Sequence, residues 1–225
     1  ASGFCRCGAG LRARLRIGDF GTRQYAGAVS GPLIDDHLAF RLAADLQETD
    51  GFVTNRLTGG NDGGIENLLL RGKLLVEPSA IPGLRAEFTV DYNETESGGA
   101  GIFAPVAAND PTFLDFDPDD RVSFQVPVLF EQETLRILTE LSYDLSSNWT
   151  GRIIGTYETT DGGEVRGDPL NPARFPGSAE DDNFFNDTYS AEARLEYDYG
   201  PLTGYNGAYY YTDDNARLIT YVDIF

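Results

Sequence analysis

Residues 84–93 read Leu-Arg-Ala-Glu-Phe-Thr-Val-Asp-Tyr-Asn, with Leu84, Ala86, Phe88, Val90 and Tyr92 on one side and Arg85, Glu87, Thr89, Asp91 and Asn93 on the other. Successive side chains of extended chain leave opposite faces of a sheet, so this period of two predicts a strand with one apolar and one polar face. No apolar residue interrupts the polar row, and that row carries full charges of both signs. The apolar row ends on a tyrosine, an amphipathic ring suited to a boundary between oil and water.

The same arrangement recurs on both sides of this stretch. Residues 37–48 place Leu38, Phe40, Leu42, Ala44 and Leu46 against His37, Arg41, Asp45 and Gln47. Residues 66–76 place Leu68, Leu70, Leu74 and Val76 against Asn67, Arg71 and Lys73, with Leu69 and Leu75 blurring the polar row. Downstream, Leu135, Ile137, Leu141, Tyr143 and Leu145 alternate with Arg136, Glu140, Ser142 and Asp144. Trp149, Ile153 and Tyr157 follow against Thr150, Arg152, Thr156 and Glu158, and then Tyr189, Ala191, Ala193, Leu195, Tyr197 and Tyr199 against Ser190, Glu192, Arg194, Glu196 and Asp198. Tyr205, Gly207, Tyr209 and Tyr211 begin a last strand, while Leu11 to Ile17 and Tyr25 to Val29 give two weaker ones at the start. The expectation is about nine antiparallel strands.

Alternation alone fits a soluble sandwich as well as a membrane barrel, because a polar face is solvated in either. The connections separate the two. Tight turns are expected at Gly31 to Asp36, Pro78 to Gly83, Ser146 to Asn148 and Gly200 to Leu202, and they alternate with long links over about Thr49–Ile65, Thr95–Glu131 and Thr159–Asp187. Outer-membrane barrels separate short periplasmic turns from long extracellular loops in this way. Eleven residues at ~3.3 Å each, tilted by ~40°, rise about 28 Å, close to the ~25 Å apolar band of such barrels. Tyr92, Tyr143, Trp149, Tyr157, Tyr189 and Tyr199 lie at the ends of apolar rows, where a barrel carries its aromatic girdles. The fold class expected is all-β: a fragment of an antiparallel transmembrane β-barrel forming an open sheet over residues 11–225, with residues 1–10 unassigned.

Composition supports this and excludes much else. The chain of 225 residues carries 26 Gly, 12 Tyr and 14 Phe, and its 17 Lys and Arg against 36 Asp and Glu leave a net charge of −19. Such a balance cannot easily assemble the basic face that nucleic acid requires, so no nucleic-acid partner is expected. The acid is dense in the long links, as at Asp161, Glu164, Asp168, Glu180, Asp181, Asp182 and Asp187. Cys5 and Cys7 lie too close for a relaxed disulfide and have no second pair to complete a zinc site. The acidic run Asp115, Asp117, Asp119 and Asp120 offers oxygens for calcium but lacks the EF-hand spacing and its glycine, and it reads as a solvated loop. Gly59 to Gly64 lacks the Lys-Ser/Thr that completes a phosphate loop. The single histidine, His37, lies beside a turn with no nucleophile motif near it. No catalytic residue, metal ligand or cofactor is assigned, and the protein is not expected to be an enzyme.

An ordered set of short motifs carries a family likeness. Ser30-Gly31-Pro32-Leu33-Ile34-Asp35-Asp36 leads into Leu38-Ala39-Phe40-Arg41-Leu42-Ala43-Ala44, then Thr49-Asp50-Gly51-Phe52-Val53-Thr54-Asn55, then Leu70-Arg71-Gly72-Lys73-Leu74-Leu75 with Glu77-Pro78. This resembles the early barrel of the TonB-dependent receptors of Gram-negative outer membranes. The resemblance implies active uptake of a scarce ligand such as a ferric siderophore, with outer-membrane lipid and, through a plug domain, the TonB energy-coupling system as partners. It also implies a longer protein, since neither a plug nor a TonB box is seen here and such barrels close at about 22 strands. The competing expectations are a passive porin-like barrel and a soluble carbohydrate-binding β-sandwich. The ligand itself cannot be read from these residues.

Overall fold

A computed structural model of the chain describes residues 9–54, 61–98, 129–167 and 178–223. All regular structure among them is β. The strands are β1 (Gly10–Ile17), β2 (Arg23–Ile34), β3 (Leu38–Thr49), β4 (Val53–Thr54), β5 (Asn61–Asp62), β6 (Ile65–Val76), β7 (Leu84–Gly98), β8 (Leu129–Ser146), β9 (Trp149–Gly167), β10 (Ser178–Asp198) and β11 (Thr203–Asp223). Nine of them form one antiparallel sheet in the order β1-β2-β3-β6-β7-β8-β9-β10-β11, and β4 and β5 form a two-residue ladder of their own. Every large-sheet strand pairs with its sequence neighbours, so the topology is a simple meander. The two edges, β1 and β11, run in the same direction, and closing this sheet with antiparallel pairs alone takes an odd number of further strands.

The turns at one end are short and locally built. The reversal after β2 is only Asp35-Asp36-His37, where Asp36 adopts a positive φ of 60° and the His37 amide donates to the Ile34 carbonyl at 3.1 Å. The His37 ring lies 3.0 Å, through Nδ1, from the Glu77 carbonyl of the next turn, and the Glu77 amide donates to the His37 carbonyl at 2.7 Å, which is a structural role. Gly83 closes the turn before β7 with φ +86°, and a Cβ there would sit 3.1 Å from that of Asp144. β8 passes to β9 through Ser147-Asn148, and β10 to β11 through residues 199–202.

Two boundaries differ from the expectation drawn from the sequence. Gly31-Pro32-Leu33-Ile34 belongs to β2 and not to the turn: Pro32 stays opposite Ala39, and Leu33 is inserted as a bulge before Ile34 meets Leu38. Proline is found within sheets beside bulges such as this one, where the ladder is locally disrupted. The larger difference lies in the stretch expected to be a long loop from Thr159 to Asp187. Residues 159–167 continue β9 and residues 178–187 belong to β10, in register from Thr159↔Asp187 to Gly167↔Ala179. The first link at the same end, residues 18–22, is also short. Long and short connections therefore alternate less strictly than expected.

Exposure runs opposite to that of a soluble protein. Leu42 is 54% exposed, Val90 44% and Ile153 57%, all on the apolar face, whereas Thr89 at 4% and Asp91 at 8% are buried on the polar face. Leu75 and Ala86 are the buried hydrophobic residues among those described. A β-sandwich needs a second sheet on its apolar face. None covers it among the described residues.

Candidate functional site

The cross-strand register converts nine alternating sequences into two continuous surfaces. On the apolar face, one row across the sheet runs Leu15, Tyr25, Leu46, Leu68, Glu94, Glu133, Asp161, Phe185 and Ala216. It is apolar through β6 and acidic from β7 to β9. The row two residues below runs Ala13, Gly27, Ala44, Leu70, Tyr92, Leu135, Thr159, Asp187 and Asp214, apolar through β8 and polar afterwards. In the next row, Leu11, Val29, Leu42, Gly72, Val90, Ile137, Tyr157 and Tyr189 remain apolar or aromatic as far as β10, where Tyr157 and Tyr189 stack at 4.8 Å. The boundary thus descends about one residue per strand. With ~3.3 Å per residue and ~4.8 Å between strands, a boundary perpendicular to a barrel axis then implies strands tilted by about 35°, within the ~35–45° of membrane barrels.

The lower boundary is aromatic. Trp149 and Tyr197 are register partners with ring centroids 5.4 Å apart, and the Trp149 indole N–H donates to the Tyr199 hydroxyl at 3.0 Å. Tyr143 lies one row above, so the expected girdle residues fall into an upper set (Tyr92, Tyr157, Tyr189) and a lower one (Tyr143, Trp149, Tyr199). Tyr205, Tyr209 and Tyr211 do not continue the apolar face. They sit opposite Glu196, Glu192 and Ser190 on the polar face, and the Arg194 guanidinium lies 5.3 Å from the centre of the Tyr205 ring. On β11 the apolar-face positions are Ala208, Tyr210 and Thr212 instead.

The polar face from β6 to β10 is an ion-pair lattice. Arg71, Asp91, Arg136 and Glu158 are directly opposite one another on four successive strands, alternating in sign. Arg71 donates to both oxygens of Asp91 at 2.5 and 3.0 Å, and Arg136 Nε lies 2.8 Å from Glu158. Lower down, Lys73 reaches Glu87 at 2.7 Å, Arg152 reaches Glu140 at 2.6 Å and Glu196 at 3.0 Å, and Arg194 reaches Glu192 at 2.5 Å. Above this level the row Asn93, Thr134, Thr160, Asn186 and Asn215 is uncharged, with the Thr134 and Thr160 hydroxyls 3.1 Å apart. At the top, Phe184 stacks on Phe130 and lies over Gly162, where a Cβ would come within 2.4 Å of the ring, and Arg217 chelates Asp182. The lattice is a wall that water can wet; among the described residues no three His, Cys, Asp or Glu side chains converge as metal ligands. Cys5, Cys7 and the acidic run at Asp115–Asp120 lie outside the described residues. Sequence reading found both faces but not the lattice, because only the register shows which charge meets which.

No family model matches the chain. Two solved structures are similar to it: the ferric yersiniabactin uptake receptor FyuA of Yersinia pestis, at 16% identity and a TM-score of 0.70 over 96% of this chain, and the siderophore receptor PiuA of Acinetobacter baumannii, at 12% identity and 0.66 over 92%. The chain spans about a third of their length, 33% and 30%. Its nine-stranded open sheet therefore has the fold of part of the barrel of a siderophore receptor.

Proposed function

We propose that this sheet is part of the wall of a TonB-dependent receptor in a Gram-negative outer membrane, and that the whole protein takes up a scarce small ligand, a ferric siderophore, by an energy-coupled route. Residues 11–225 supply barrel strands, with the apolar face toward lipid and the polar face toward the lumen. The observation that carries this reading is the slanted apolar band. A soluble protein has no reason to hold the edge of a hydrophobic surface at one height across tilted strands, and a bilayer imposes that height. Because a closed barrel satisfies every backbone group internally, the wall crosses lipid without exposing amides. The ends carrying residues 99–128 and 168–177 face the cell exterior, and the short turns face the periplasm.

The test is uptake of labelled ferric siderophore by cells producing the full-length protein, with and without a functional TonB system. Uptake that depends on TonB is expected. TonB-independent uptake accompanied by ion conductance of the reconstituted protein would replace the reading with a passive porin.

A further inference from the structure

Above the slanted boundary the apolar-face positions turn acidic and then apolar again. The row of Glu94, Glu133 and Asp161 continues into Phe185 on β10, the next row up holds Glu131, Gly163 and Asn183, and the one beyond it Leu129, Val165 and Asp181. Leu129, Val165 and Phe185 border an open groove of about 590 Å³, with Gly163, which carries no side chain, between them. Asn183 leans toward that gap: a Cβ on Gly163 would come 2.7 Å from its Oδ1, and its Nδ2 donates to Asp181 at 3.0 Å. Leu129 and Phe185 are each more than a third exposed. Since β8, β9 and β10 are paired on both sides, this exposure does not come from the open edges of the sheet.

We infer that this groove docks a basic amphipathic segment of an extracellular protein, with an aliphatic or aromatic anchor beside Val165 and Phe185 and lysine or arginine over Glu131, Glu133 and Asp161. The height of the groove rests on the barrel reading proposed above. On β10 the apolar band ends at Tyr189, and Phe185 stands four residues beyond it, about 13 Å along the strand. Lipid tails end at the band, so they do not cover these side chains, and an exposed apolar patch rimmed by polar residues is the mark of an interaction surface. The volume accepts an anchor and its neighbours, falling within the ~300–1,000 Å³ of small-molecule sites. Charge then selects the occupant. Glu131, Glu133 and Asp161 make no hydrogen bond or ion pair among the described residues, and Glu133 stands directly opposite both Glu94 and Asp161. Like charges directly opposite one another destabilise a sheet, so a cation supplied from outside is favoured. A second copy of a chain whose net charge is −19 would set the same carboxylates against these, and an anionic headgroup is repelled likewise.

The experiment is fluorescence anisotropy of a labelled synthetic peptide of repeating Leu-Lys-Phe-Lys, titrated with the full-length protein in nanodiscs of zwitterionic lipid and corrected for empty nanodiscs. Saturable binding is expected, weakened tenfold or more in the Glu133→Lys/Asp161→Lys double variant and severalfold in Phe185→Ser. Glu66→Gln, which removes another apolar-face carboxylate on β6 outside the groove, binds as the parent does. Peptides with Ser in place of Leu and Phe, or with Glu in place of Lys, bind at least tenfold more weakly. Resistance to unfolding in SDS, measured on each variant, separates lost binding from lost fold. Absence of saturable binding by the folded parent, equal binding by parent and folded groove variants, or an equal loss in Glu66→Gln overturns the inference. So does a parent dimer that Phe185→Ser dissolves, which gives the groove to a second copy. A parent that inserts into the bilayer yet ignores the peptide sinks the groove alone, whereas a parent that fails to insert sinks the barrel reading and the groove with it.

Discussion

The two faces of the sheet share one backbone and the same strands, yet they solve opposite problems. The apolar face leaves large side chains uncovered, with Leu42 and Ile153 more than half exposed, while the polar face buries Asp91 between Arg71 and Arg136. In water such a molecule would be inside out. The difference is what the proposed membrane wall requires, a medium apolar on one side and aqueous on the other, with ion pairing on the polar face.

The comparison breaks most visibly under charge. Leu42→Arg or Phe88→Arg, on the apolar face, is expected to cost roughly 2–4 kcal/mol of insertion stability near the bilayer midplane. Arg41→Leu and Glu87→Leu, their sequence neighbours on the polar face, should cost about 1 kcal/mol or less. Denaturant titration of the full-length protein refolding into liposomes measures both, and equal losses would refute the assignment of faces.

The slant of the band yields a finer contrast. Leu70, Thr159 and Asp187 lie on one cross-strand row but at different proposed depths. In the same assay Leu70→Lys should cost roughly 1–2 kcal/mol, because it is still below the boundary. Thr159→Lys, above it, should change stability by no more than about 0.5 kcal/mol. Equal costs would mean that the boundary follows the row and that the strands are not tilted.

A further modest effect belongs to the lattice. Asp91→Asn leaves Arg71 and Arg136 without the carboxylate between them, and because the Arg71 side chain is 44% exposed, solvent screening holds the expected loss to about 1 kcal/mol. Adding Arg71→Gln should recover part of it, and a double-mutant cycle reads the coupling.

How much of this was legible in the sequence depended on whether both faces were distinguishable. β7 alternates apolar and polar residues without interruption over residues 84–93, β3 does so with only Ala39 and Ala43 on its polar face, and both strands stand where the pattern put them. Residues 159–167 and 178–187 carried no alternation because above the apolar band polar residues stand on both faces, and the ladder needs only backbone groups there. Gly31 and Pro32 signalled a turn, but that signal is shared by a bulge. Tyr205, Tyr209 and Tyr211 read as an apolar row because tyrosine serves either face; their partners Glu196, Glu192 and Ser190 decide the matter, and partners are a property of register. The slanted boundary was hidden for the same reason.

The central claim, that a bilayer meets the apolar face along a line crossing tilted strands, is tested most directly by depth. Nitroxide labels at Leu68, Glu94 and Asp161, three positions of one cross-strand row, are placed singly in the full-length protein in liposomes, and their relative accessibility to oxygen and to a polar nickel complex is measured by electron paramagnetic resonance. The account predicts Leu68 within the hydrocarbon, Glu94 at the interface and Asp161 in water. Three labels at one depth, or all three in water, would contradict it.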